Sequence, residues 1–183
     1  MTSFDPQAAG PSFPLANKLE RVVFRLAWLV LARWTPPPFF GWRALVLRAF
    51  GAEIGPKARI HASVRVWLPR NLSVGEGALV GPHAELYNQG RIVIGARCVV
   101  SQRAWLCAST HRVNDRAFAL ELRPIALGDG CWVAAGAFVG PGVTMASESV
   151  LGARAALFED TEAQGVYRGN PAVRIGTRDW AKG

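Results

Sequence analysis

Every sixth residue of this chain repeats. Aliphatic residues fall at Ile54, Ile60 and Val66, then at Val74, Val80 and Leu86, then at Ile94, Val100 and Leu106. The beat resumes at Leu127 and runs through Val133, Val139, Met145, Leu151 and Leu157. A small residue follows four places later, as at Ala58, Ala78, Cys98, Cys131, Ala137 and Ala155, and Gly often follows the aliphatic directly, as at Gly55, Gly75, Gly95 and Gly128. A period of six matches neither the helix period nor simple alternation. It suits a short strand followed by a tight corner, again and again. Three such strands close a triangular coil of about eighteen residues, and coils stack at about 4.8 Å, the spacing of neighbouring strands. The large aliphatic points inward on each side, and the small residue points inward near the corner. Gly, Asn and Asp near the corners relieve backbone strain. The fold class that follows is an all-β solenoid of about five coils.

The interruptions are regular too. Val66 to Val74 and Leu86 to Ile94 each span eight residues, so each of the first two coils carries two extra residues. Leu106 to Leu127 spans twenty-one, about fifteen more than one beat, which leaves an excursion placed within 108–125. It contains Thr110-His111-Arg112-Val113-Asn114-Asp115. A bare solenoid has no need of such a loop, and long loops in compact folds often carry function.

Four segments are expected: a disordered N-terminus at 1–12, a helical segment at 13–51, the solenoid at 52–165 with its loop at 108–125, and a tail at 166–183. In the helical segment Leu19, Val22, Val23, Leu26, Leu29 and Val30 share one broad face, with Lys18, Arg21 and Arg25 on another and Trp28 near the boundary. Pro36-Pro37-Pro38 stops that helix, and a second short helix is expected from Trp42 to Phe50, ended by Gly51. Two roles are open. The helices cap the open end of the solenoid or meet another subunit, or residues 17–50 lie on a bilayer surface. The apolar run from Val22 to Ala32 includes Arg25 and is too short to span a membrane. The N-terminus does not read as a signal peptide, because Asp5 and several prolines precede the first apolar segment.

The formal charge is +8, and the 21 basic residues spread along the chain without a nucleic-acid motif, so nucleic acid is not the expected partner. A partner carrying phosphate, or an anionic membrane face, suits the charge. Cys98 and Cys131 occupy inward repeat positions, so they read with Cys107 as thiols in a reducing compartment. The expected location is the cytoplasm, with the inner face of the membrane as the place for peripheral contact. His61, His83 and His111 lie 22 and 28 residues apart; coils of about twenty residues put them in different columns, so no metal is expected. His61 and His83 read as corner residues. His111 differs, because it opens the excursion, where a side chain can enter a cleft. A neutral imidazole is a suitable general base near pH 7.

The segment Leu127-Gly-Asp-Gly-Cys-Trp-Val-Ala-Ala-Gly-Ala-Phe-Val-Gly-Pro-Gly-Val-Thr144, with Gly169-Asn170-Pro171-Ala172, resembles the C-terminal repeats of hexapeptide acyltransferases. Further pieces are similar to the colanic-acid-biosynthesis acetyltransferases: Gly41-Trp42-Arg43, Phe50-Gly51-Ala52-Glu53-Ile54-Gly55, Leu86-Tyr87-Asn88, Val100-Ser101-Gln102-Arg103-Ala104-Trp105-Leu106-Cys107, Ser109-Thr110-His111 and Arg123-Pro124-Ile125. The resemblance covers about Asn17 to Arg178. It implies a left-handed parallel β-helix, against the usual crossover hand, a homotrimer with active sites between subunits, and acetyl-CoA as donor. His111 matches the family's catalytic histidine, Trp132 the aromatic beside the donor's reactive end, and Ala135 and Ala153 the positions whose backbone touches the pantetheine arm. Asn88 is the candidate for acceptor binding. Phe158-Glu159 and Val173 depart from the family's usual Thr-Lys and basic residue at the CoA phosphates. Arg174 and Arg178, with Arg154 and Arg168, are the candidates to compensate.

The function this implies is O-acetyl transfer to a sugar hydroxyl of an exopolysaccharide or of its lipid-linked precursor. The alternatives are an acetyltransferase for a free small hydroxyl or amino compound, and a solenoid scaffold without catalysis. The oxyanion donor is open, with a backbone N–H of the Val133–Gly136 turn as one candidate. So is the group that orients His111, for which Asp115 is near in sequence.

Overall fold

The computed structural model describes residue 10 and residues 12–182; the disorder expected for 1–12 falls almost entirely outside them. The inward aliphatics close three parallel sheets around one core, with residues such as Leu72, Leu86, Ile94, Leu106 and Leu151 fully enclosed. The first face stacks strands Glu53–Ile54, Leu72–Val74, Ile92–Ile94, Ile125–Leu127 and Thr144–Met145. The second stacks Arg59–Ile60, Leu79–Val80, Val99–Val100, Trp132–Val133 and Val150–Leu151, then Gly165–Gly169. The third stacks Arg65–Val66, Glu85–Tyr87, Trp105–Cys107, Phe138–Val139 and Ala156–Leu157. Five coils are complete and Gly165–Gly169 opens a sixth on the second face. Register is in step throughout: Ile54 stands over Val74, Val74 over Ile94, and Ile94 over Leu127.

The glycines after the aliphatics are there for space. A Cβ on Gly75 would lie 2.5 Å from the Ala96 nitrogen, and one on Gly95 would lie 2.7 Å from the Gly128 carbonyl carbon. Stacked coils approach too closely at that corner for any side chain. The strained backbone sits two residues on, where Gly77, Gly130 and Gly136 share the position with longer residues. Lys57, Arg97, Glu148 and Gln164 at the first corner, and His83, Arg103 and Arg154 at the second, all have positive φ. The ladder on both sides over-determines their conformation, and their long side chains reach solvent. His83 is thus a corner residue, and His61 packs edge-on against Phe40 at 5.4 Å.

The excursion is more ordered than a loop. Ser109–His111 and Leu120–Leu122 pair as an antiparallel hairpin that leaves the corner between the third and first faces. The C-terminal segment also differs from a tail: Gly165–Gly169 and Ala172–Thr177 form an antiparallel hairpin that extends the second face. Gly169, at φ +96, and Asn170-Pro171 provide the turn.

Helices α1 (Leu15–Leu31) and α2 (Phe40–Ala49) close the other end. The α2 helix covers the open strand edge with two arginines. Arg48 donates to the Ile54 carbonyl through Nε and Nη2, at 2.9 and 2.6 Å. Arg43 is fully buried and donates through Nε to the Ile60 carbonyl at 2.6 Å. These carbonyls would otherwise face an absent strand. The α1 helix lies along the third face of the first coil, with Phe24 and Trp28 buried and Trp28 Nε1 donating to the Ala62 carbonyl. Among the described residues no helix is long and apolar enough to cross a membrane.

Candidate active site

His111 ends the outgoing strand of the hairpin, and its ring is held from two sides. It stacks on Phe118, with centroids 4.4 Å apart and planes 5° from parallel. Its Nδ1–H donates to the Phe118 carbonyl at 2.7 Å. A carbonyl oxygen can only accept, so in the neutral ring Nδ1 carries the hydrogen and Nε2 keeps its lone pair. Phe118 adopts φ +48, which brings its carbonyl and its ring onto the same imidazole. Asp115 does not orient the ring. Its Oδ1 accepts from the Ala117 N–H at 2.9 Å and shapes the hairpin's tip. A backbone carbonyl leaves no mark in a sequence, so spacing alone could not find this partner.

The residues matched to the donor lie elsewhere. Trp132 projects from the second face, 44% exposed, and its Nε1 donates to Ser101 Oγ at 3.0 Å. Ala135 and Ala153 occupy the same place one coil apart, at the corner between the second and third faces, where the Arg154 N–H donates to the Ala135 carbonyl at 3.0 Å. Around that turn the Ala134 N–H is taken by Leu151 and the Gly136 N–H by Gln102, while those of Ala135 and Ala153 have no partner among the described residues. Pro82 holds the equivalent place two coils below, which needs no donor. Two outward N–H groups about 4.8 Å apart, beside methyl side chains only, form a strip on which an extended amide chain can lie. Arg168 rests against Gly152, where a Cβ would meet its Cγ at 2.8 Å, and Arg154 turns the same corner as Ala153.

The two other arginines are engaged. Arg178 reaches the first corner, where Nη1 donates to the Gly130 carbonyl at 3.0 Å and its guanidinium lies 3.7 Å from the Trp180 ring centre. Arg174 sits 3.7 Å from Glu162 and donates to Thr177 Oγ1 at 2.8 Å. Asn88 is a correction. It is fully buried; its Oδ1 accepts from the Trp67 and Leu68 N–H groups, and its Nδ2 donates to the Leu68 carbonyl at 2.6 Å. The two extra residues of the first coil widen that corner, and Asn88 braces it from the coil above, out of reach of an acceptor.

A cleft that the periodicity did not reveal lies between α1 and the third face. Its volume is about 510 Å³, and its walls include Arg25, Arg33, Arg65, Trp67, Glu85 and Tyr87. Trp67 and Tyr87 stand over one another, 6.4 Å apart and edge to face. Aromatic walls with a carboxylate and guanidinium groups suit a polyhydroxylated ligand. The detectable signal was the pair of aromatics twenty residues apart, the length of a coil with its two-residue insertion. Tyr87 pairs with Cys107, two residues before the strand that carries His111.

One chain does not assemble all these parts. His111 leaves the corner between the third and first faces, and Trp132 lies on the second face, across the prism from it. A side of about six residues puts them roughly 15–20 Å apart. Among the described residues no group of three or more His, Cys, Asp or Glu side chains could hold a metal.

No family model matches the chain. It is 42% identical over 157 residues, 84% of this chain and 86% of the relative, to the protein named "Putative colanic acid biosynthesis acetyltransferase WcaF" of Escherichia coli (strain K12). Among solved structures it is similar to a hexapeptide-repeat acetyltransferase of Vibrio cholerae complexed with acetyl coenzyme A, at TM-score 0.83 and 16% identity over 92% of each chain. It is also similar to a galactoside acetyltransferase in complex with coenzyme A, at TM-score 0.82 and 19% identity, covering 92% of this chain and 86% of that one. These likenesses fix the hand of the solenoid as the left-handed β-helix.

Proposed function

Because this chain belongs to the hexapeptide-repeat acetyltransferases, alongside the colanic acid biosynthesis relative, we propose that it moves an acetyl group from acetyl-CoA to a saccharide hydroxyl of a surface polysaccharide or its lipid-linked precursor. The observation that carries the mechanism is the 2.7 Å contact of His111 Nδ1 with the Phe118 carbonyl, an acceptor that places the neutral ring's hydrogen on Nδ1 and leaves the lone pair on Nε2. A sugar hydroxyl is a poor nucleophile at its own pKa. Nε2 takes its proton as the oxygen attacks the thioester carbonyl. The tetrahedral oxyanion then collapses, the C–S bond breaks, and the imidazolium returns the proton to the departing thiolate. The unpartnered Ala135 N–H is a candidate donor to that oxyanion.

The donor lies along the strip at Ala135 and Ala153, with Trp132 beside its reactive end. Arg154 and Arg168, whose guanidinium groups have no partner among the described residues, suit the CoA phosphates better than the engaged Arg174 and Arg178. The acceptor enters the cleft lined by Trp67, Glu85 and Tyr87. The separation of His111 from Trp132 within one chain supports a homotrimer in which one subunit's histidine faces its neighbour's donor wall. Free CoA release from acetyl-CoA, measured over a panel of saccharide acceptors, tests this. His111→Ala should lower turnover by about 10²–10⁴-fold while leaving subunit assembly unchanged; near-parental turnover would reject His111 as the base.

A further inference from the structure

The apolar stripe of α1 points away from the protein. At 100° per residue, Leu15, Leu19, Val22, Leu26 and Val30 share an arc of about 120° with Val23 and Leu29, opposite the buried Phe24 and Trp28. Leu19, Leu26 and Val30 are each about 60% exposed or more. The surface continues past the helix end. Trp34 donates from Nε1 to the Val30 carbonyl, and Trp42 from Nε1 to the Leu31 carbonyl, so both indoles satisfy the last turn of α1 and turn their rings outward. Contiguous exposed apolar faces of this kind mark interaction surfaces.

Its border is basic. Lys18 and Arg25 lie along one edge of the stripe, and Arg33 follows the C-terminal end. From residue 15 to residue 49 the chain has one carboxylate, Glu20, and that is turned inward onto Arg70. An antiparallel second copy of this face would oppose basic edge to basic edge. Anionic headgroups complement it, and the outward aliphatics and indoles suit the acyl boundary.

We propose that α1, with Trp34 and Trp42, docks the protein flat on an anionic bilayer surface. The docked orientation has a consequence for the substrate. Arg25, Leu29 and Arg33 border both the stripe and the cleft that holds Trp67 and Tyr87, so the cleft opens at headgroup level. It would receive a saccharide anchored by a phosphate-bearing lipid, with Arg25 and Arg33 at the phosphate. This second step rests on the proposed acetyl transfer; the docking itself does not.

The test is co-sedimentation of the full chain with vesicles of phosphatidylcholine alone or mixed with phosphatidylglycerol. The expected result is binding to the mixed vesicles that weakens with salt. Leu19→Ser/Leu26→Ser/Val30→Ser should lower the partition coefficient about tenfold or more on both lipids, and Lys18→Glu should weaken binding to the anionic vesicles alone. Acetyl-CoA affinity by calorimetry and subunit mass by light scattering are measured on the same variants. Unchanged affinity and mass with lost sedimentation supports docking. No sedimentation of the parent, or equal sedimentation of the triple variant, overturns it. A fall in mass in the triple variant shows that a second copy covers the stripe, which also overturns it. Retained docking with no acetyl-CoA binding would instead count against the transferase reading.

Discussion

Arg43 is the residue whose removal should damage the fold most for its size. It is fully buried and has no carboxylate partner among the described residues. Its charge is met by a cage of oxygens: Ile60 O at 2.6 Å, Thr35 Oγ1 at 2.8 Å, Pro37 O at 2.8 Å and Pro36 O at 3.0 Å. Burial lowers its pKa, as expected for a cation taken from water. Arg43→Met keeps the stem and deletes every donor. Water can reach the carbonyls of the exposed Pro36 and Pro37, so their loss is cheap. The Ile60 carbonyl has no such rescue, and the buried Thr35 hydroxyl keeps only its bond to the Ala32 carbonyl; a group left short of a partner costs about 1–3 kcal/mol. Part of that is returned, because the cation's own desolvation is no longer required. A net loss of about 3 kcal/mol follows, which for a chain of this size lowers Tm by about 6–12 °C. Arg43→Lys, with a single ammonium and no fork, should fall between the two. Thermal melting followed by circular dichroism measures both. A change in Tm below about 2 °C for Arg43→Met would refute the idea that this cage seals the open end of the solenoid.

Gly75→Ala should destabilise by about 1–3 kcal/mol, because the added methyl meets backbone atoms of the next coil, which cannot rotate away; urea unfolding measures it. His61 should make stability fall in acid. Its burial, and then the Arg43 charge, hold its pKa below 6.5, so below pH 6.5 the unfolded chain binds a proton that the folded one resists. That contribution is present above pH 6.5 and lost as pH falls, and His61→Gln should flatten Tm between pH 7.5 and 5.5. Phe118→Ala keeps the carbonyl but loses the stacked ring. It should lower kcat about tenfold with little change in the acetyl-CoA KM, as steady-state kinetics would show.

The solenoid was legible because each side of each coil offers one large inward site, so Ile54, Val74, Ile94 and Leu127 had to recur in step. The breaks were legible for the same reason, and they located the hairpin that carries His111. What held the parts in place was not legible. Lys57, Arg97 and His83 carry no sign of a left-handed backbone, because the ladder on either side imposes it. Asn88 read as a candidate for acceptor binding, yet a corner two residues wider needed its carboxamide inside. Periodicity grouped Leu19, Leu26 and Val30 on one face of α1, but it could not say which face turns inward. Phe24 and Trp28 decided that by packing against the first coil.

The most direct measurement is subunit complementation. His111→Ala removes the proposed base, and Ala153→Trp fills the strip proposed for the donor arm, so each variant alone should be inactive. Mixed at equal amounts in the proposed trimers, a whole site should form wherever an intact histidine from one variant faces an intact wall from the other. Random mixing makes that about one site in four, so CoA release should return to about a quarter of the parental rate. No recovery in trimers shown by mass to be mixed would contradict a site built from His111 of one subunit and the Trp132–Ala153 wall of the next.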